Sequence, residues 1–381
     1  MICKMIQAAY IHIPFCNELC YYCDFHKVYI ARQPVDTYIE MLDLEIQAVL
    51  QNSRPKMNTV YIGGGTPTAL SIKQMNRLLQ ILHRHMEITS DTEFTIEGNP
   101  NDITETLARI FTDYGVNRIS LGAQTFESSH LVQMNRTHTP EQIEKAVLCL
   151  IKNGLENINL DFIYGYPNHQ MSQWRKTLKK AVHLPISHIS AYSLIVEPKT
   201  QFYFMEEKGQ LHLPDEDIVA DMYETAMDFL PAQGFRRYEL SNYAKKGYES
   251  QHNLIYWDNN FYYGFGAGAH SYTDFTRIQN IVPVMHYIKA LQSHSRPILY
   301  ESRCTQKEQM EEEMFLGLRK ATGVSKEKFF HKFGVKMQDV FLKSIEDGKN
   351  KGLIEETATH IFLTRKGCLL GNEVFATFLL E

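Results

Sequence analysis

No apolar run in this chain approaches the roughly 20 residues that a helix needs to cross a bilayer. A transmembrane protein is therefore not expected. Charge of one sign is not in excess either. Lys plus Arg number 39 and Asp plus Glu 44, a formal net charge of −5. That balance gives no overall electrostatic reason to expect nucleic acid or an anionic membrane as partner. Internal repeats and low-complexity segments are absent, which excludes solenoids and disordered tracts. The opening MICKMIQAAYIHIPFC lacks the layout of a signal peptide. The expected compartment is a reducing cytoplasm, where thiols stay available for metal. What remains is an ordinary globular composition, 44% hydrophobic and 22% charged. Its 381 residues are enough for two or three domains with a sizeable core.

Against that background one stretch stands out. AYIHIPFCNELCYYCDFHK, residues 9–27, holds Cys16, Cys20 and Cys23 in a C-x3-C-x2-C array. Thiolates packed this closely usually hold a soft metal or an iron–sulfur cluster. Three of them match three irons of a [4Fe-4S] cube and leave the fourth open to a small molecule. The rival is structural zinc, with His12, Asp24 or His26 as fourth ligand. Cys3, Cys149, Cys304 and Cys368 are isolated in sequence. Cys149 falls in a helical pattern and Cys368 in an apolar tail, so core packing is their expected role.

The periodicity then alternates. Strands are expected at Tyr10 to Phe15, Thr59 to Ile62, Glu93 to Glu97, Arg118 to Gln124, Asn157 to Tyr164 and Ser187 to Val196. Helices are expected at 35–51, 71–86, 104–114, 140–153 and 170–184. Their punctuation includes a Ser71 cap, Pro140 at a first helical position, and Gly115 and Gly154 as stops. Such alternation predicts an α/β fold of parallel strands, a partial (β/α)6 barrel, with a doubly wound sheet as the alternative. Either way, ligands collect at the C-terminal ends of the strands. Residues 198–213 read as irregular and 215–230 as a helix. From about Glu301 charged helices follow, at 310–321, 326–333 and 340–351, then a strand at 360–364. These read as a small, mostly helical, winged-helix-like domain, and the division expected is 1–285 and 286–381.

Several motifs sit at the strand ends. Gly63-Gly-Gly-Thr-Pro-Thr68 follows the second strand, and its glycines allow close backbone approach and positive φ. It is neither a Walker A loop nor a G-x-G-x-x-G fingerprint, so phosphate is not its obvious ligand. Glu97 and Asp161 lie at or near strand ends, where they could also cap helices. Arg136 could simply face solvent. His252-Asn-Leu-Ile-Tyr-Trp257 offers an imidazole beside flat aromatics. Gly264-Phe-Gly-Ala-Gly-Ala-His270 is glycine-dense without a following helix, and close backbone packing is expected of it.

Together these motifs resemble the radical S-adenosylmethionine (SAM) superfamily, and within it the HemN/HemW branch of coproporphyrinogen dehydrogenases and haem chaperones. The resemblance rests on IHIPFC at 11–16, Cys23-Asp-Phe25, the GGGTPT loop, Glu97-x-Asn-Pro100, Gly122-Ala-Gln124 and Asp161-x3-Gly165-x-Pro167. It covers about residues 8–272, and the tail resembles the HemN C-terminal domain. It implies a [4Fe-4S] cluster on Cys16, Cys20 and Cys23, with SAM chelating the open iron and cleaved by one electron to a deoxyadenosyl radical. It further implies that Tyr10 meets the adenine through its backbone and that Gly64, Gly65 and Thr66 meet the methionine end. Glu97, Gln124, Arg136 and Asp161 align with polar SAM-site residues, and Tyr22 would touch a second SAM.

Two departures separate the branches. The dehydrogenase pattern continues to a fourth cysteine where this chain has Phe25, and its N-terminal arm is longer than the 15 residues preceding Cys16. Both argue against oxidative decarboxylation of coproporphyrinogen III, which stays as the alternative. HNLIYW matches the HNxxYW motif of the chaperone group. The resemblance therefore implies haem as cargo, His252 as an iron ligand, a haem-acceptor protein and a reductant such as a flavodoxin-type donor. Taken alone, a histidine in such a loop is more often a hydrogen-bonded structural residue.

Overall fold

A computed structural model describes residues 6–51 and 53–380; Cys3 lies outside the described residues. The chain opens with β1 (Ala8–Ile13), β2 (Phe15–Cys16) and β3 (Val28–Tyr29), followed by α1 (Val35–Leu50). Strands and helices then alternate: β4 (Thr59–Gly64), α2 (Ile72–His85), β5 (Glu93–Gly98), α3 (Glu105–Asp113), β6 (Arg118–Gln124), α4 (Ser128–Gln133), α5 (Pro140–Lys152), β7 (Asn157–Tyr164), α6 (Met171–His183) and β8 (His188–Ser193). Local chemistry explains the boundaries. Ser71 and Thr139 close capping boxes with Gln74 and Gln142, and Pro140 opens α5.

These strands lie in one sheet ordered β1-β4-β5-β6-β7-β8, every neighbouring pair parallel. The fold is thus the expected α/β architecture. The alternation along each strand is strict. Ile11, Ile13, Val60, Ile62, Phe94, Ile96, Ile119, Leu121, Ile158, Leu160 and Ile189 are fully buried in the main apolar core. The other face is polar: Tyr10, His12, Thr59, Tyr61, Thr95, Glu97, Arg118, Ser120, Asn159, Asp161, His188 and Ser190. The register sets Tyr10 beside Tyr61, Glu97 beside Ser120 and Asp161 beside Ser190.

After β8 come α7 (Gln201–Glu207), α8 (Glu216–Ala232), β9 (Arg236–Arg237), β10 (Asn242–Ala244), α9 (Gln251–Trp257) and β11 (Tyr263–Phe265). The helix α7 corrects the irregular reading of 198–213: Thr200 caps it, and Phe202 is buried. β11 joins the sheet parallel to β1, and β10 and β9 extend the other edge antiparallel. The sheet is open, with β11 and β9 as its outer strands.

A second sheet, β12 (His270–Thr273), β13 (Thr276–Asn280) and β14 (Ile298–Arg303), brackets α10 (Val284–Gln292), so its strands come from both sides of residue 285. The tail holds α11 (Gln306–Gly317), α12 (Lys326–Phe333) and α13 (Met337–Asn350), with a small sheet of β15 (Val324–Ser325), β16 (Ile354–Glu356) and β17 (His360–Leu363). Two short helices, α14 (Arg365–Leu369) and α15 (Gly371–Ala376), close it. Among the described residues no helix is long and apolar enough to cross a membrane.

Candidate metal and cofactor site

The cysteine loop is closed on itself before anything binds it. β2 pairs with β3, so Val28 N–H donates to the Pro14 carbonyl at 2.7 Å and Ile30 N–H to the Cys16 carbonyl at 2.9 Å. Residues 17–27, with Cys20 and Cys23, bulge from that clasp. The glycine loop forms one wall. Gly65 N–H donates to the Ile13 carbonyl at 2.9 Å, and Thr66 N–H to the Phe15 carbonyl at 2.8 Å. The Thr66 hydroxyl reaches the Cys16 sulfur at 3.4 Å. A Cβ on Gly65 would stand 2.8 Å from the Phe15 carbonyl oxygen and 3.0 Å from the Cys16 sulfur, so only glycine fits. The far wall comes from the segment after α4 and from α7. Arg136 Nη1 donates to the Cys20 sulfur at 3.3 Å, and Asn135 Nδ2 to the Leu19 carbonyl at 2.9 Å. Tyr21 N–H meets the Met134 carbonyl, and Phe202 N–H the Tyr21 carbonyl.

Burial pushes the Cys16 thiol up to about 11, and burial likewise raises Cys23. Metal ligation needs the thiolate, so loading must release protons. The donor set fits an iron–sulfur cluster: three thiols on one loop, a guanidinium and a hydroxyl aimed at two sulfurs. Among the described residues no three His, Cys, Asp or Glu, the three cysteines included, are already gathered around one point. Of the zinc candidates, His12 has both ring nitrogens engaged, by the Tyr10 hydroxyl at 3.1 Å and the His26 carbonyl at 2.9 Å, whereas His26 Nε2 is buried without a partner. Asp24 is exposed.

Of the expected SAM-site residues, Gly65, Thr66, Arg136 and Tyr22 lie against the cysteines. Gly64 has φ +115°, and its N–H donates to Glu97 Oε2 at 3.1 Å. Tyr61 donates its hydroxyl to Glu97 Oε1 at 2.6 Å. Burial pushes Glu97 up to about 7, opposed by the Tyr61 hydrogen bond and reinforced by the Asp161 charge. Asp161 accepts from Ser120 and Asn159 at 2.9 and 2.8 Å and is also raised by burial. Neither carboxylate accepts from a helix N-terminus, so the capping alternative fails. Gln124 sits at a register shift between β6 and β7 with φ +62°. Arg136 also donates to Asn99 Oδ1 at 2.7 Å and to the Gly122 carbonyl at 2.6 Å, so it is not a solvated surface residue. A Cβ on Gly122 would lie 2.9 Å from Arg136 Nη2. Tyr22 lies against Cys20 and Arg136, and Tyr10 stacks on Tyr61 at 6.1 Å.

His252 is elsewhere. It lies in helix α9, not in a loop, and α9 covers the opposite, N-terminal end of the parallel strands. Glu93, first residue of β5, accepts the backbone N–H groups of Gln251 and His252 at 2.9 Å each. His252 is 1% exposed. Its Nδ1 meets the Thr59 hydroxyl at 2.8 Å, and its Nε2 meets the Tyr256 hydroxyl at 2.8 Å. Burial, then the Arg118 charge, holds the imidazole down to about 3, so it is neutral. Both ring nitrogens of His252 are thus engaged by hydroxyls of the chain itself.

Comparison with known proteins settles the family. The radical SAM superfamily profile matches residues 10–181, and the HemN C-terminal domain profile matches 304–370. A Bacillus subtilis protein named heme chaperone HemW is 44% identical over 378 residues, covering 99% of this chain and 100% of that one. Its Lactococcus lactis namesake is 44% identical over 375 residues, 98% of each chain, and the Escherichia coli one 32% over 380 residues, again 98% of each.

This chain belongs to the HemW family of radical SAM proteins.

The HemW fold is shared with a solved relative. The structure described as coproporphyrinogen III oxidase (HemN) from Escherichia coli, a radical SAM enzyme, superposes with a TM-score of 0.86 at 22% identity, covering 98% of this chain and 90% of that one. That likeness shows the fold.

Sequence reasoning missed Tyr61, Ser120 and Asn159, which hold the expected SAM-site carboxylates in place. Their signal was the polar alternation along β4 to β7. It also missed a cavity of about 340 Å³ between α9 and α11 in this HemW-family chain, lined among others by Tyr256, Trp257, Asn259, Tyr262, Arg277 and Phe315. Two donors of cavity-lining residues, Trp257 Nε1 and Asn259 Nδ2, are buried without an acceptor.

Proposed function

We propose that this chain is a haem chaperone, which binds haem and passes it to an acceptor protein. Cys16, Cys20 and Cys23 would hold a [4Fe-4S] cluster. Gly64, Gly65, Thr66, Glu97, Gln124, Arg136 and Asp161 would form the SAM site, with Tyr10 at the adenine and Tyr22 toward a second SAM. When bound, cluster and SAM supply one-electron chemistry. The chain's own residues clasp the loop, direct a guanidinium and a hydroxyl at the sulfurs, and keep Glu97 in fixed register with the Gly64 amide.

The observation that carries this reading is the glycine loop against Cys16 and Arg136 against Cys20, both on the C-x3-C-x2-C loop at the C-terminal ends of parallel strands. Haem would lie in the cavity beside Tyr256 and Trp257. Aromatic walls suit a porphyrin face, and the acceptor-less Trp257 and Asn259 donors suit its carboxylates. A reducing cytoplasm and a flavodoxin-type electron donor complete the proposal.

Anaerobic reconstitution tests it. Iron and sulfide should load in equal amounts, and the reduced protein's EPR signal should change on SAM addition. Haem should titrate with a Soret band and leave for an apo-haemoprotein. Release of vinyl products from coproporphyrinogen III at useful rates would replace the chaperone reading with the dehydrogenase one.

A further inference from the structure

A stack of rings crosses the polar face of the sheet from α9 to the glycine loop. Tyr61 lies between Tyr10, 6.1 Å away at 28°, and His252, 5.1 Å away at 29°. His252 cannot turn, because the Thr59 and Tyr256 hydroxyls hold its two nitrogens. α9 in turn is anchored by Glu93. The anchoring residues share strands and face with the residues they serve: Thr59 precedes Tyr61 by two in β4, and Glu93 precedes Glu97 by four in β5. At the far end the Tyr61 hydroxyl and the Gly64 amide take one carboxylate oxygen each. Space over Gly63 is filled by the same pair: a Cβ there would lie 2.8 Å from Glu97 Oε2 and 2.9 Å from Tyr61 Cε1.

We propose that Tyr61 and His252 are positioning residues: the HNLIYW helix plugs one end of the sheet's polar interior and, through the Tyr61 ring, fixes the Glu97 carboxylate and the Gly64 amide for SAM at the other. This assigns the motif a role in the SAM site, and it rests on the SAM reading above.

The test is SAM affinity, by calorimetry on the anaerobically reconstituted full chain at equal cluster content. Tyr61→Phe keeps the ring and removes one hydrogen bond to a charged group, so affinity should fall about tenfold. His252→Ala should weaken it several-fold. His252→Phe, which restores a ring against Tyr61, should recover most of that loss. The double variant Y61F/H252A should be little worse than Y61F, since both act through one bond. A second readout separates positioning from general destabilisation. The groups facing Glu97 are Tyr61, Asp161, Arg118, Tyr10 and Tyr256. Removing the Tyr61 hydroxyl raises the Glu97 carboxyl, so the pH midpoint of SAM binding should move upward in Y61F.

Wild-type affinity in Y61F with an unmoved midpoint, or losses that multiply in the double variant, would overturn the inference. If His252→Ala does not fold, Y61F alone decides. Failure of the wild-type holoprotein to bind SAM would instead remove the SAM reading itself.

Discussion

Glu45 sits in α1, 3% exposed, where its carboxylate gathers three elements. Tyr287 donates to Oε2 at 2.6 Å, Gly266 N–H to Oε2 at 2.8 Å and Asn280 Nδ2 to Oε1 at 2.5 Å. Those donors favour the charged form, but burial outweighs them and pushes the group up from its ordinary 4.5 to about 7. The folded chain therefore binds this proton about 3 kcal/mol more tightly than the unfolded chain does. Between about pH 4.5 and 7 the folded state keeps a proton that the unfolded state has lost. Stability from this group is full below that window and falls as pH rises through it, by about 1.4 kcal/mol per pH unit. Glu45→Gln is neutral throughout and lacks the slope. Urea unfolding of both proteins at pH 5, 6, 7 and 8, followed by circular dichroism, cancels the other titrating groups in the difference. That difference should move by about 2–3 kcal/mol in favour of the variant from pH 5 to 8. A difference constant to within about 0.5 kcal/mol would refute the claim that burial outweighs the three hydrogen bonds.

Other perturbations read the site directly. Gly65→Ala drives a Cβ against the Phe15 carbonyl and the Cys16 sulfur, should cost about 1–3 kcal/mol, and should sharply reduce iron and sulfide incorporation in anaerobic reconstitution. Arg136→Leu leaves Asn99 Oδ1 and the Gly122 carbonyl without their donor; a loss of about 2–4 kcal/mol by denaturant unfolding and weaker SAM binding are expected. Trp257→Phe removes an indole N–H that has no acceptor in the chain. It should leave the unfolding midpoint nearly unchanged while weakening haem in a Soret titration, and unchanged haem affinity would move the haem site away from this cavity.

The sequence alone determined the chemistry-bearing core. Close cysteine spacing, glycines after a strand, and helix punctuation at Ser71 and Pro140 are local signals, because their physical causes act within a few residues. The strand–helix alternation carried the parallel sheet, and with it the end where ligands gather. Local pattern did not carry α7, the sheet of β12 to β14, or the helical state of 251–257, since their stability comes from partners far along the chain. Only the tertiary structure decided that Arg136 points at Cys20, that Tyr61 holds Glu97, and that His252 is shut behind Thr59 and Tyr256. Apart from the His252–Tyr256 bond within α9, those contacts cross 36 to 193 residues of chain. Spacing can assemble a motif within one turn or strand, but which distant group satisfies a buried donor is known only once the sheet has brought them together.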